Sequence, residues 1–412
     1  MRDNLKTVTP TQQNVQMGYL RACLTVLVIA HHAVLAYHPY APLPPTSLST
    51  EPMYWQAFPV VDSQRAPGVE LLVGFNDVFF MSLMFLVSGL FLWPSLQRKG
   101  AGPFLRDRVR RLGIPFVVGS ALLAPLAYFP TYLQAGGTTL GGFWQVWRSL
   151  PNWPSGPVWF LWVLLAFGAV AAALTRVAPE WGNTLGRFAK RVQQPAISFG
   201  CLVAASAVAY LPLAIGLGPA RWCSWGPFSV QASRPLHYAV YFFAGAALGA
   251  HGTGRGLLAK EGTLARRWPL WVVASLGAFL LAVAAFLVAL SRVASAGWWA
   301  ATDATFVLSC AASSFAFLAL FVRFARQGRV ADSLRANAYG MYVTHYAFVN
   351  WLQYALLGAA LSGAAKAMLV FLGAVALSWG LTAALRRIPA VARVLSGIAP
   401  SPSPGEVGAV SR

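Results

Sequence analysis

The sequence predicts an all-α polytopic membrane protein with about ten transmembrane helices and both termini cytoplasmic. Three observations carry that expectation. First, the 412 residues are 57% hydrophobic and only 10% charged, with a mean hydropathy of +0.58. Soluble domains average about 25% charged residues. There is too little polar surface here to coat a soluble globule, and a disordered chain needs the opposite balance. Second, ten apolar stretches are of a length to cross a bilayer core of about 30 Å. Third, the basic residues alternate from one side of those stretches to the other.

The stretches run over residues 18–38, 72–93, 113–134, 157–178, 196–217, 235–250, 270–290, 300–322, 335–357 and 364–386. Pro115, Pro157 and Pro235 stand near starts, where a missing N–H costs nothing. The sixth stretch is the shortest. All but six of the 31 Lys and Arg fall in the N-terminal segment, the alternate loops and the C-terminal tail. The six exceptions are Arg65, Arg148, Arg221, Arg234, Arg292 and Lys366. The positive-inside rule puts the crowded side in the cytoplasm. A miscounted span would scramble the alternation, so the split also supports the count of ten.

A net charge of +20 is then topology and headgroup contact, not nucleic-acid binding. Residues 1–17 read as a cytoplasmic segment, 18–386 as one membrane domain, and 387–412 as a cytoplasmic tail. The tail reads as disordered beyond about residue 395, where Pro and Ser alternate. The first stretch is interrupted by two histidines and lacks a clean cleavage site, so it reads as a retained span. No gap is long enough for a separate soluble domain, so any chemistry belongs to the helices. Cys23, Cys201, Cys223 and Cys310 show no metal or redox spacing and read as apolar fillers. No metal is expected.

Ionisable residues inside a span are costly and point to function. His31 and His32 lie in the first stretch, with His38 at its outer edge. At 1.5 Å per residue, His32 lies about 9 Å below the outer face, and Asp77 of the second stretch about 7–8 Å below it. Matching depth on sequential helices makes Asp77 the expected carboxylate to orient the His32 imidazole as a general base. The bland alternative is a histidine bonded to a carbonyl across a helix interface. That reading is favoured for His31, which points about 100° away from His32. Residues 94–112 read as a loop and carry the densest charge. Within them Arg108 and Arg111 share one helix face and suit phosphate binding. Plain positive-inside anchoring also explains them. His345 sits near mid-membrane in the ninth stretch. His237 and Asp303 read as interface residues. Tryptophans such as Trp153, Trp222, Trp225, Trp298 and Trp299 read as an aromatic belt.

These residues together resemble acyltransferase family 3, a family of integral inner-membrane O-acyltransferases. Arg21 and His32 match the family's R-x10-H pattern. Phe79-Phe80 and Ser88-Gly89 follow in the second stretch. Arg108-x-x-Arg111-Leu-x-Ile-Pro115 stands at the entry to the third, and Trp159-Phe160-Leu161 begins the fourth. Tyr339-Gly340-Met341-Tyr342-x-x-His345 matches the late G-I-Y-x-x-H element. The resemblance covers about residues 15–385. It implies transfer of an acyl group, acetyl or succinyl, from cytoplasmic acyl-CoA to a hydroxyl of an extracytoplasmic glycan, lipid or small molecule. His32 would be catalytic with Arg21 beside it. Arg108 and Arg111 would hold the CoA phosphates, and Ser88, Tyr342 and His345 join the donor-binding set. No permanent cofactor is implied, and the location implied is the inner (plasma) membrane. One departure stands out: many members carry an acid three positions before Arg21, where this chain has Gly18. The rival readings are a proton-coupled transporter or flippase using His32, Asp77 and His345 as a relay, and a family member without activity.

Overall fold

The computed structural model describes residues 10–291 and 296–395. Its long helices are α1 (Pro10–Leu35), α2 (Val69–Gly89), α3 (Ala101–Gln134), α4 (Trp159–Val177), α5 (Pro195–Leu217), α6 (Pro235–His251), α7 (Trp268–Ser291), α8 (Ala296–Phe324), α9 (Arg329–Ala355) and α10 (Gly363–Leu385). The chain is an all-α polytopic membrane protein. Among the described residues, eight of these helices are long and apolar enough to cross a membrane by length and composition. The other two are α6, with 17 residues, and α9, whose first turns carry Arg329, Asp332 and Arg335. A span of about 17 residues still fits a bilayer core.

Among the described residues the strand content is one hairpin, Trp222–Trp225 against Phe228–Gln231, between α5 and α6. The arginine-rich stretch read as a loop over 94–112 is almost wholly helical. A helix over Leu92–Lys99 turns at Gly100 (φ +76°) into α3, which begins twelve residues earlier than its apolar part. Charge hid that extension, because Arg and Lys are good helix formers whose polarity resembles a loop's. Of the N-terminal segment and the tail, residues 1–9 and 396–412 lie outside the described residues. Pro389–Leu395 form a short helix.

α1 is the hub. It packs against α2, α8, α9 and α10, while α2 crosses α6 and α3 packs on α9. The α2–α6 crossing depends on glycine. A Cβ at Gly245 would meet the Leu86 carbonyl oxygen at 2.0 Å, and one at Gly89 would meet that of Phe242 at 2.0 Å. Without a water-driven hydrophobic force between helices, close backbone approach of this kind supplies the packing.

The segment between α1 and α2 folds back over the face opposite the arginines. A buried ion pair and a two-way hydrogen bond are among the contacts that hold it there. The fully buried Lys366 of α10 pairs with the equally buried Asp62 at 2.8 Å. Gln134 exchanges hydrogen bonds with the backbone of Val61, its amide donating at 2.6 Å and its carbonyl accepting at 3.1 Å.

Candidate active site

His32 and His345 meet across the α1–α9 interface. His32 Nδ1 lies 2.8 Å from the Val28 carbonyl, one turn back on α1, and 3.2 Å from His345 Nε2. His345 Nδ1 lies 2.7 Å from the Tyr342 carbonyl. A carbonyl oxygen only accepts, so both Nδ1 atoms must carry hydrogen. The neutral pair then has one consistent assignment. His345 donates from Nδ1, so its Nε2 is bare and accepts from His32 Nδ1–H. His32 Nε2 in turn is a lone pair, and it has no protein partner among the described residues. This tautomer follows from the hydrogen-bond network. It gives a base whose proton-accepting atom is free and whose opposite nitrogen is held by two acceptors.

The surroundings fix the backbone and rings of the pair. Gln353 of α9 donates to the carbonyls of His32 (2.9 Å) and Ala33 (3.1 Å). Tyr346 sets its ring edge-on to His32 at 5.0 Å, and its hydroxyl lies 3.5 Å from that of Tyr128. Tyr128 donates to the Gln56 carbonyl at 2.9 Å, so the outer segment roofs the pair. Gln353 and Tyr346 were missed in the sequence. Gln353 had a signal: it lies eight residues after His345, on the same helical face, and is polar within a span.

Asp77 does not orient His32. Its carboxylate is taken by Arg234, with Nη1 to Oδ1 at 3.1 Å and Nη2 to Oδ2 at 2.6 Å. A guanidinium satisfies both oxygens at once, which no imidazole can do. Depth brought Asp77 to the right level, but helix rotation turned it toward α6, and the histidine it acts on electrostatically is His31. His31 stacks on Phe80 at 5.4 Å, and its Nδ1 is buried without a partner. His237 and Asp303 lie in the interface of α5, α6 and α8. His237 Nδ1 is 3.0 Å from Ser206 Oγ, and Asp303 accepts from Tyr210 at 3.4 Å. All four cysteines are free thiols.

Nearer the basic face, Arg21, Arg108 and Arg111 all act electrostatically on the buried Tyr339 hydroxyl. Tyr339 donates to the Arg111 carbonyl within a π-type turn over Val109–Gly113. Such single-turn π segments recur at functional sites because they re-aim side chains. Arg108 lies over the Phe104 ring at 5.1 Å. Among the described residues none of these three arginines forms a salt bridge, and Arg21 Nε is buried without a hydrogen-bond partner. The nearby acid Asp107 is already bonded to Lys99. Asp107 lies within electrostatic reach of Arg108 and Arg111 but is shared with Lys99, so three half-buried guanidinium groups keep an excess of positive charge that suits an anion.

Gly18 has a structural explanation. A Cβ there would meet the Arg335 side chain at 2.6 Å. Arg335 lies across that position and pairs with Asp332 at 3.4 Å, which also accepts from Tyr19 at 2.6 Å. The acid three residues before Arg21 is absent, and a carboxylate from α9 stands close by.

Tyr342 hydrogen-bonds the Pro157 carbonyl, tying α9 to the start of α4. Ser88 is half-buried beside Gly89 and makes no hydrogen bond to the arginines. His345 therefore groups with His32, while Arg21, Arg108 and Arg111 form a separate cluster. The two are about 16 Å apart along α1, measured as the eleven-residue rise from Arg21 to His32. On the outer segment, burial pushes the His38 imidazole below its ordinary pKa. Arg65 adds to that shift and Glu70 opposes it.

A family model described as an acyltransferase domain, that of acyltransferase family 3, matches residues 14–383. No curated protein and no solved structure matches the chain.

Proposed function

The chain belongs to acyltransferase family 3, and from that premise we propose that it moves an acyl group from cytoplasmic acyl-CoA to a hydroxyl on the far side of the plasma membrane. The observation that carries the reading is the pairing of a base with a free Nε2 and a net-positive arginine cluster one half-membrane away. Arg21, Arg108 and Arg111 hold the CoA phosphates. The extended arm of the donor runs from them along α1, and its thioester reaches His32.

The acceptor hydroxyl gives its proton to His32 Nε2 as its oxygen bonds the thioester carbon. The C–S bond then breaks, and the proton passes from His32 to the departing sulfur. The products are an O-acyl ester and CoA thiol, and no proton is gained or lost overall. His32 becomes an imidazolium during the reaction. His345 Nε2 and the Val28 carbonyl then hold its Nδ1–H and stabilise the charge. The acyl group is acetyl or succinyl, and the acceptor is a glycan, a lipid-linked sugar or a small exported molecule.

The test is calorimetric titration of acetyl-CoA and succinyl-CoA into detergent-purified protein, parent and Arg108→Ala/Arg111→Ala. Saturable binding that the double variant loses is expected. A folded parent that binds neither donor nor free CoA overturns the reading.

A further inference from the structure

The segment between α1 and α2 forms a half-open cavity of about 200 Å³, whose walls include Ser47, Glu51, Tyr54, Trp55 and Phe58. It lies on the face opposite the arginines, and a chain of three ring contacts leads from its wall to the histidine pair. Wall residue Trp55 meets Tyr128 at 5.2 Å, Tyr128 meets Tyr346 at 5.7 Å, and Tyr346 meets His32 at 5.0 Å. A second wall residue, Phe58, lies 6.0 Å from His38, six residues beyond His32 on the same strand of chain. The cavity is held in place from behind. Trp55 Nε1 donates to the Leu48 carbonyl at 3.1 Å, and the Asp62–Lys366 pair anchors the end of the segment.

Its chemistry is mixed. Tyr54 is 62% exposed, which leaves a ring face free for contact. Glu51 uses Oε2 to accept from the Met53 amide at 3.2 Å, and its other oxygen makes no hydrogen bond among the described residues. Arg65 reaches the Ala41 carbonyl but does not line the cavity. An aromatic face, hydroxyls and a free carboxylate oxygen together suit a ring with one apolar face and several hydroxyl donors. The unpaired carboxylate disfavours an anion.

We propose that this cavity docks the acceptor as a neutral or amino-bearing pyranose ring, with Tyr54 stacking on it and Glu51 accepting its hydroxyls, and that it excludes acidic sugars. The proposal rests on the acyl-transfer reading for its role and on the cavity alone for binding. Three ring contacts separate it from His32, so it is a distal subsite that holds one ring of a glycan while a hydroxyl farther along the same chain reaches Nε2.

Two measurements on the full chain in nanodiscs test it. Saturation-transfer NMR reads binding of methyl β-glucopyranoside, its 2-amino analogue and methyl β-glucuronoside. Thiol release from acetyl-CoA reads turnover with the same three probes. The neutral and amino probes are expected to bind and the glucuronoside not to. Tyr54→Ala should weaken binding about two- to tenfold, the range of an aromatic contact, while Tyr54→Phe retains it. Where turnover is seen, Tyr54→Ala raises KM for the pyranoside and leaves kcat. Binding of the pyranosides by a folded parent that binds neither acetyl-CoA, succinyl-CoA nor free CoA upholds the cavity and removes the acyl-transfer reading. Turnover with no change in Tyr54→Ala and Glu51→Gln, equal binding of the glucuronoside, or no binding of any probe overturns the proposal.

Discussion

Lys366→Met removes the ammonium from the buried pair that anchors the outer segment. Both side chains are 1% exposed, and Nζ lies 2.8 Å from Asp62 Oδ2 and 3.2 Å from the Leu357 carbonyl. Loss of the amine leaves a carboxylate with no solvent and no cation. Breaking a buried pair from one side costs about 3–5 kcal/mol, because the remaining charge is uncompensated. Asp62 also accepts from the Gln64 amide at 2.8 Å, and its own amide donates to the Ala36 carbonyl, so the bend of the segment depends on it. Denaturant unfolding in mixed micelles, read by tryptophan fluorescence, measures the loss. The double variant Lys366→Met/Asp62→Asn keeps the acceptor for Gln64 and removes the stranded charge, so it should recover most of the stability. A single variant costing under about 1 kcal/mol, the worth of a solvated surface pair, would show that the pair does not anchor the segment. So would a double variant no more stable than the single.

His345→Leu removes one of the two acceptors that hold the His32 imidazolium. A hydrogen bond to a charged group is worth about 1.5–3 kcal/mol, so kcat should fall roughly ten- to 150-fold with donor binding intact. His345→Gln should restore part of it, because an amide oxygen can take the place of Nε2, and steady-state kinetics on both variants decides. His38 gives a pH dependence. Its folded pKa is depressed, so the unfolded chain takes the proton more readily and stability falls as pH drops through about 6.5, the unfolded value. Thermal unfolding between pH 8 and 5 should show that loss, and His38→Gln should flatten it.

The spans were legible because a bilayer imposes length and apolarity on every one of them. Each expected stretch corresponds to a helix, including the short sixth as Pro235–His251. What was hidden has two physical causes. Local polarity concealed the start of α3, which reads as a charged loop and is helix from Ala101. Non-local packing concealed the partners of the site. His32 and His345 are 313 residues apart, and nothing in either stretch states that α1 lies against α9. Asp77 shows the same limit from the other side. Its depth was readable, its rotation was not, and the partner it found was Arg234 at the start of α6. The arginine cluster was half legible: Arg108 and Arg111 stood out by density, but their convergence with Arg21 on Tyr339 needed the fold.

If His32 carries acyl transfer while the arginine cluster binds the donor, loss of the imidazole separates chemistry from binding. The most direct measurement compares cells making the parent and His32→Gln at equal membrane levels. Mass spectrometry of the envelope reads O-linked acyl groups, and calorimetry on the purified proteins reads acetyl-CoA binding. The ester signal is expected to fall by about 10²–10⁴ in the variant, the usual worth of a general base, with donor affinity unchanged. An ester signal that persists in His32→Gln, or one that disappears only because donor binding is lost, would contradict that role for His32.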